Sequence, residues 1–403
     1  MTHTITADLL TPLGAYLRLR EAHRAAFLLE SVERGRLGRY SFVGGGDRLV
    51  YLNEAEALGL PVVGYVGYDH AARLEPTVPL PADGPELPET RFVVAETLVR
   101  FDHVLGIADV LHGDGAALDE SVALPFPRPL RTGPTLRLPA QDEYEADVRR
   151  AQAEIRAGEA FQIVLSQRAE RPTDASAVDL YRALRRINPS PYLFCLELDG
   201  IALVGSSPET LVKVEGRRAS VNPIAGTTAA GEDDAERLLS SEKDRAEHVM
   251  LVDLGRNDLS RVCRPGTVRV ERFLEPERFS HVTHLVSEVA GAVRDGVTPF
   301  DVLRACFPAG TVSGAPKVRA MQLISELEGY RRGPYAGAVG YALPDGTLDT
   351  CIAIRTIVLH DGVARLQAGA GIVADSDPRA EHEECLRKLA ALEAAIDLAE
   401  SGG

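Results

Sequence analysis

Apolar residues recur at helical spacing in DEYEADVRRAQAEIRAG (142–158). Tyr144, Val148, Ala151 and Ile155 share one face there, and Gly158 can close the last turn. The next segment, FQIVLSQRAE from Phe161, has the apolar density of a strand. PYLFCLELDGIALVGSS (191–207) predicts a hairpin around Asp199-Gly200, a dipeptide that tolerates tight turns. LVKVEGRRASVNPIAGT (211–227) predicts a strand pair ending in a glycine turn. DDAERLLSSEKDRAEHVMLVDL (233–254) predicts one helix starting near Asp233 or Asp234. The last helix should start at DSDP, with Asp377 as N-cap and Pro378 at the first helical position. Its apolar stripe is Leu386, Leu389, Leu392 and Ile396.

The first third is mixed. Helix formers precede Glu30, RYSFVGG (39–45) predicts a strand entering a glycine turn, and RFVVAETLVRFDHVLGIADVL (91–111) predicts paired strands. Prolines 125, 127, 129, 134 and 139 then interrupt both helix and central strand. The expected organisation is an N-terminal region at 1–123, a proline-rich linker at 124–140 and a larger C-terminal region at 141–398. Strands come as neighbouring hairpins more than in strand–helix–strand alternation, so the expected class is α+β.

Composition narrows function by exclusion. With 45% hydrophobic and 26% charged residues over 403 positions, the chain reads as an ordinary globular protein. A net charge of −15 disfavours nucleic acid and anionic membranes, which need a basic face, but leaves room for an anionic substrate in a locally positive cleft. The five cysteines are scattered without a C-x-x-C pair, which fits reduced thiols and a cytoplasmic location. No signal peptide and no apolar run long enough to span a membrane stands out.

Two carboxylate pairs carry candidate chemistry. Asp244 with Glu247, and Glu381 with Glu384, are each spaced three apart on a predicted helix, so each pair shares a face. Two such helices could converge on Mg²⁺, which favours carboxylates, water and substrate oxygens. Solvated faces near Lys243 and Arg387 are the plainer alternative. PIAGT (223–227), PAGTVSGAPK (308–317) and QAGAGIVAD (367–375) are expected to be glycine turns whose N–H groups can meet an anion. PAGTVSGAPK is not a phosphate-binding Walker loop, because Pro316 precedes Lys317 and Val318 stands where Ser or Thr is required. Gly369-x-Gly371-x-x-Ala374 lies too far ahead of the next helix for a dinucleotide turn. Arg355, in the apolar run CIAIRTIV, needs an anionic partner, from a substrate or from within the chain. His284 in FSHVTHLVS is a candidate base or polar anchor.

Taken in order, PIAGT, KDRAEHVMLVDLGRNDLSRV, HLVSEVAG, FPAGTVSGAPKVRAMQLISELE, RGPYAGAVGY, IAIRT and QAGAGIVADSDPRAEHEEC closely resemble the chorismate-utilising enzymes. Within that family the resemblance is to the anthranilate synthase component I branch. It runs from about Tyr144 to Leu392. FLLES (27–31) and GYVGYD (64–69) extend it more weakly into a shorter N-terminal region. The resemblance implies two facing, antiparallel-rich sheets with helices outside. It also implies Mg²⁺-dependent amination of chorismate at C2, loss of the C4 hydroxyl, and elimination of pyruvate to give anthranilate, which opens tryptophan biosynthesis. Ammonia would come from a separate glutamine amidotransferase subunit, since no room remains for that domain here.

Residue by residue, the resemblance implies Glu247 and Glu384 as principal Mg²⁺ ligands, with Asp244 and Glu381 secondary. Gly226, Thr227, Tyr335, Arg355, Gly369, Ala370, Gly371 and Lys317 would hold chorismate. Glu209 in SSPETL would protonate the leaving hydroxyl, which requires a raised pKa. His284 is associated with the elimination step, and Thr311 joins the catalytic set. Relatives that use water carry a lysine where this chain has Gln162. Aminodeoxychorismate synthases, the rival reading, carry a nucleophilic lysine where this chain has Ala225. Both positions therefore point to ammonia at C2. Ser31, Pro191, Tyr192 and Leu193 resemble the family's site for inhibitory tryptophan.

Overall fold

The computed structural model describes residues 3–7, 9–33, 36–119, 130, 133–229, 231, 233–278 and 282–402. Residues 124–129, 131 and 132 of the proline-rich segment 124–140 lie outside them. Two antiparallel sheets dominate. The larger has twelve strands among the described residues, and its centre runs Tyr40–Gly46, Ala25–Glu30, Tyr192–Leu198, Ile201–Ser207, Thr356–His360, Val363–Ile372 and Gln162–Pro172. The smaller has ten, running Ile224–Ala229, Val282–Ala292, Arg218–Val221, Thr210–Glu215, Leu348–Ile352, Ala338–Ala342, Val62–Val66, Thr90–Val94 and Leu49–Val50, with Arg269–Arg278 also pairing Val282–Ala292.

The sheets face each other across one apolar layer. Phe27, Leu98, Phe194 and Leu203 enter it from the larger sheet, and Val63, Tyr65, Val93 and Val339 from the smaller. Each such fully buried side chain contributes about 1.5–3 kcal/mol. Helices Pro12–Ala22, Ala177–Ile187 and Pro378–Glu400 cover the outer face of the larger sheet. Helices Leu52–Leu58, Glu242–Ser260 and Pro299–Cys306 cover the smaller. The α+β class with facing sheets and outer helices is borne out. In both sheets a block of strands from before the proline-rich segment joins the later strands at a single pairing. Ala25–Glu30 pairs Tyr192–Leu198, and Val62–Val66 pairs Ala338–Ala342.

Several local expectations hold. Asp377 caps the last helix through the Ala380 N–H at 2.8 Å, and Asp199 and Gly200 both take the left-handed turn conformation. Others need correction. RYSFVGG is strand through Gly46, not a turn, because Gly44 passes under Phe27 where a side chain would collide. Within 91–111, Thr90–Val94 belongs to the smaller sheet, and only Thr97–Asp102 and Ile107–His112 pair with each other. The expected helix at 233–254 is two helices, Asp234–Ser240 and Glu242–Ser260, broken at an extended Ser241. No helix among the described residues is long and apolar enough to cross a membrane, and all five cysteines are free and buried.

Candidate active site

The site forms where the chain crosses between sheets. Ile201–Ser207 lies in the larger sheet and Thr210–Glu215 in the smaller, and Glu209 sits in the crossing. The return crossing joins Leu348–Ile352 to Thr356–His360 and carries Arg355. A hydrogen bond of 3.0 Å from the Ile352 N–H to the Glu209 carbonyl ties the two together. Arg355 is therefore in a bend, not in a strand. Its φ of 49° is a left-handed conformation that a side chain of this size adopts only at a cost.

Burial drives the Glu209 carboxyl up to about 8, although Thr311 and the cations of Arg355 and Lys388 pull it partly back. Burial pushes the Arg355 guanidinium below its usual range, and Glu209 opposes that. Among the described residues Arg355 closes no ion pair. The Thr311 hydroxyl oxygen is buried and meets no partner at hydrogen-bonding geometry. Glu209, Thr311, Gly310, Asn222 and Gly255 line a common cleft. A larger cleft along Tyr144, Arg168 and Tyr330 holds none of the expected site residues.

QAGAG is the end of strand Val363–Ile372, not a turn. Its pairing with Thr356–His360 stops at Leu366, so one side of residues 368–372 is open. Lys388 Nζ donates to the Gly369 carbonyl at 2.7 Å, which shows that Gly369 points to that open side. Main-chain N–H and C=O of one residue point together and alternate along a strand, so the Gly369 and Gly371 N–H groups face the same opening. Absent side chains make the strand approachable. A carbon added at Gly369 would meet the Tyr335 hydroxyl at 2.9 Å, and one at Gly371 would meet Gln162 Nε2 at 2.6 Å.

Both expected metal helices reach this strand end. Gln162, lying over Gly371, donates to Glu247 Oε1 at 3.3 Å. Glu384 pairs with Lys388 at 2.7 Å, the same Lys388 that holds Gly369. Glu381 lies one turn earlier on the Glu384 helix. The Asp244 side chain falls outside the described residues. The donors are carboxylate oxygens, which suits a hard divalent cation, and the Lys388 ammonium occupies Glu384 as a cation would. The one described group of three possible ligands within 4.8 Å is His23, Asp47 and Glu96, a mostly exposed cluster that includes no residue of these helices.

His284 is buried in strand Val282–Ala292, directly opposite Thr227. PIAGT is strand rather than turn, and its register slips between Ala225 and Thr227, which makes Gly226 a bulge. The side chains of Ala225 and Thr227 lie outside the described residues. Lys317 is already engaged. It donates to buried Asp258 at 2.7 Å and to the Cys306 carbonyl at 3.2 Å, so it adds no free positive charge to the site. Ser31 and the 191–193 segment come together, because Glu30 pairs with Leu193 and the Val32 N–H donates to the Ser190 carbonyl. The Tyr192 hydroxyl bonds Asp349 at 3.0 Å and, at 2.8 Å, Thr210, the residue after Glu209.

Sequence reading missed Lys388, although its position four residues after Glu384 was a usable signal. It also missed Asp258 and the pair Glu328–Arg332, which become visible only through nonlocal packing.

Residues 17–394 match the family model described as chorismate binding enzyme. Anthranilate synthase component 1 of Thermus thermophilus is 43% identical, with 99% of this chain and 98% of that protein covered. The protein of the same name from Streptomyces coelicolor is 45% identical, with 98% and 88% covered. Among solved structures, anthranilate synthase component I from Streptococcus pneumoniae superposes with a TM-score of 0.77 at 35% identity, covering 96% of this chain and 98% of that one. The menaquinone-specific isochorismate synthase of Escherichia coli shares the fold, with a TM-score of 0.79 at 23% identity, covering 98% and 94%. A family-model match over nearly the whole chain, together with full-length relatives above 40% identity, shows that the chain belongs to the chorismate binding enzymes.

Proposed function

We propose that this enzyme is the synthase component of an anthranilate synthase. It aminates chorismate at C2 with ammonia and then eliminates pyruvate, the first step of tryptophan biosynthesis. One observation carries the reading: a buried carboxyl pushed up to about 8, Glu209, faces Arg355, a half-buried arginine that closes no ion pair among the described residues.

Arg355 and the open N–H groups of Gly369 and Gly371 hold the carboxylates of chorismate, with Gly226, Thr227, Ala370 and Tyr335 completing the pocket. Glu209 gives its proton to the departing C4 hydroxyl, which leaves as water while the ammonia nitrogen bonds to C2. Thr311 offers its unpartnered hydroxyl beside that carboxyl. The C2 proton then leaves, the enolpyruvyl group takes up a proton, and pyruvate departs from an aromatic ring. His284 serves this elimination. Glu247 and Glu384 would hold Mg²⁺, with Asp244 and Glu381 in support, and the ion would neutralise a substrate carboxylate.

The choice of nucleophile rests on Gln162 and Ala225. Among the described residues the Gln162 side-chain oxygen is buried without a donor, so it can accept a hydrogen bond from an incoming ammonia. A water nucleophile would need a base at that position, and Gln162 is not one. Ala225 has no amine with which to form an adduct. Ammonia is supplied by a glutamine amidotransferase subunit, consistent with the component 1 names of the relatives. Tryptophan binds at Ser31, Pro191, Tyr192 and Leu193 as a feedback inhibitor, and the enzyme works in the cytoplasm. Residues 1–123 and 141–398 are its N-terminal and catalytic regions.

The test mixes purified protein with chorismate, Mg²⁺ and an ammonium salt. Fluorescent anthranilate should accumulate without a lyase partner. A non-aromatic amino product would instead make it an aminodeoxychorismate synthase.

A further inference from the structure

GYVGYD and Arg332 take no part in the chemistry above, yet they meet beside it. The Gln162–Pro172 strand has a gap along one edge. Leu136–Leu138 pairs with Arg168–Glu170, and Gly314–Ala315 with Gln162 and Ile163. Between them, side chains satisfy main-chain groups that a neighbouring strand would otherwise take. Arg332 Nη2 donates to the Val164 carbonyl at 2.7 Å, and the Ser166 N–H donates to Glu328 Oε1 at 2.8 Å.

Arg332 and Glu328 form a buried forked pair at 2.6 and 2.8 Å. Arg332 Nη1 also donates to the Val312 carbonyl at 2.8 Å. A guanidinium can serve acceptors in these several directions at once, whereas an ammonium cannot keep that fixed fork. Asp69 holds the turn on the other side. It accepts the N–H groups of Arg332 and Gly333 at 3.0 and 2.8 Å. The Tyr68 ring lies 4.5 Å from the guanidinium, and its N–H donates to the Gly333 carbonyl at 2.8 Å. Tyr335, whose hydroxyl stands over Gly369, lies in this same turn, two residues after Gly333.

We propose that Asp69, Arg332 and Glu328 are positioning residues: a clamp through which the N-terminal part of the chain fixes the Tyr335 hydroxyl over the Gly369 strand. The inference rests on the placement of Tyr335 in the chorismate pocket. Arg332 touches no substrate. It acts by holding the turn that carries Tyr335 against the Val164 main chain.

The test compares Arg332→Lys, Asp69→Asn, Tyr335→Phe and the doubles R332K/Y335F and D69N/Y335F. It reads kcat, KM for chorismate and the melting temperature, with ammonium and Mg²⁺ saturating. R332K should lower kcat/KM by about tenfold or more in an enzyme that remains folded, since small misplacements are costly. D69N should lower it by a smaller factor. Adding either change to Y335F should cost less than about twofold further, because the clamp acts through Tyr335. Should R332K fail to fold, D69N and its double carry the same comparison. The clamp is wrong if D69N and R332K lower the melting temperature but leave kcat/KM within about twofold, or if the penalties multiply in the doubles. A silent Y335F would refute the placement of Tyr335 and the clamp with it. A damaging Y335F beside silent clamp variants refutes the clamp alone.

Discussion

Two buried glutamate–arginine combinations flank one strand end, and they are built oppositely. Glu328 and Arg332 are joined by two short hydrogen bonds, and nearby main-chain groups take up further donors and acceptors. Glu209 and Arg355 feel each other's charge but close no ion pair, and the hydroxyl beside them has no partner. A satisfied buried pair has one stable arrangement and so serves as scaffold. An unsatisfied one leaves a carboxyl protonated and a cation open, so a substrate carboxylate can complete it. Burial is common to both, and hydrogen-bond satisfaction separates them.

That contrast breaks most sharply at Glu209. Glu209→Gln should cut kcat by about 10²–10⁴-fold, the usual worth of a positioned acid, while the melting temperature holds or rises. Anthranilate fluorescence and thermal unfolding check it together. An equal loss of stability would show that Glu209 is scaffold after all. Glu328→Gln should instead cost about 3 kcal/mol of unfolding free energy because it leaves Arg332 buried and uncompensated, and should lower kcat/KM only through the loosened Tyr335. Urea unfolding measures that.

Arg355→Lys should raise KM for chorismate by about tenfold or more, since a point charge replaces a planar fork. Stability should barely move, because no ion pair is lost. Assays of kcat and KM beside melting curves decide whether that split occurs.

Titration sharpens the same comparison. Glu209 is held near 8, above its ordinary range, so it carries its proton at neutral pH and loses it as pH rises through that value. Turnover should therefore fall on the alkaline side with an apparent pKa near 8. The sign is the same for stability: the raised carboxyl favours the folded state at low pH, and that contribution is lost as pH climbs through about 8. A pH–kcat profile that stays flat through this range would mean that Glu209 is not the acid. The smallest effect belongs to Tyr192→Phe. Losing the bonds to Thr210 and Asp349 should weaken tryptophan inhibition several-fold, by about 1 kcal/mol, with kcat little changed. Inhibition curves at fixed chorismate measure it.

Elements with local causes were legible in the sequence. The last helix announced its cap and its first proline, and the Asp199-Gly200 hairpin announced its turn. Glycine-rich stretches misled. At 44–46 and 369–371 glycine serves a strand into which another residue packs closely, and nothing nearby in sequence says so. The break at Ser241 was invisible for a similar reason, because helix formers continue on both sides of it. Motif order located Glu209, Arg355 and the carboxylate helices as residue types. It said nothing of Lys317 being consumed by Asp258, or of Lys388 standing between Glu384 and Gly369.

By itself the sequence determined the inventory: which acids, cations and glycines exist, in what order, and which stretches favour helix or strand. Those depend on covalent identity and near-neighbour spacing. Tertiary structure alone decided the state of each group. The Glu209 carboxyl is pushed above its ordinary range because two sheet crossings remove it from water. Arg332 is spent on scaffold because Asp69, Val164 and Val312 converge on it from distant parts of the chain. Solvation and hydrogen-bond partnership are properties of a packed neighbourhood, and that neighbourhood is assembled from residues hundreds of positions apart.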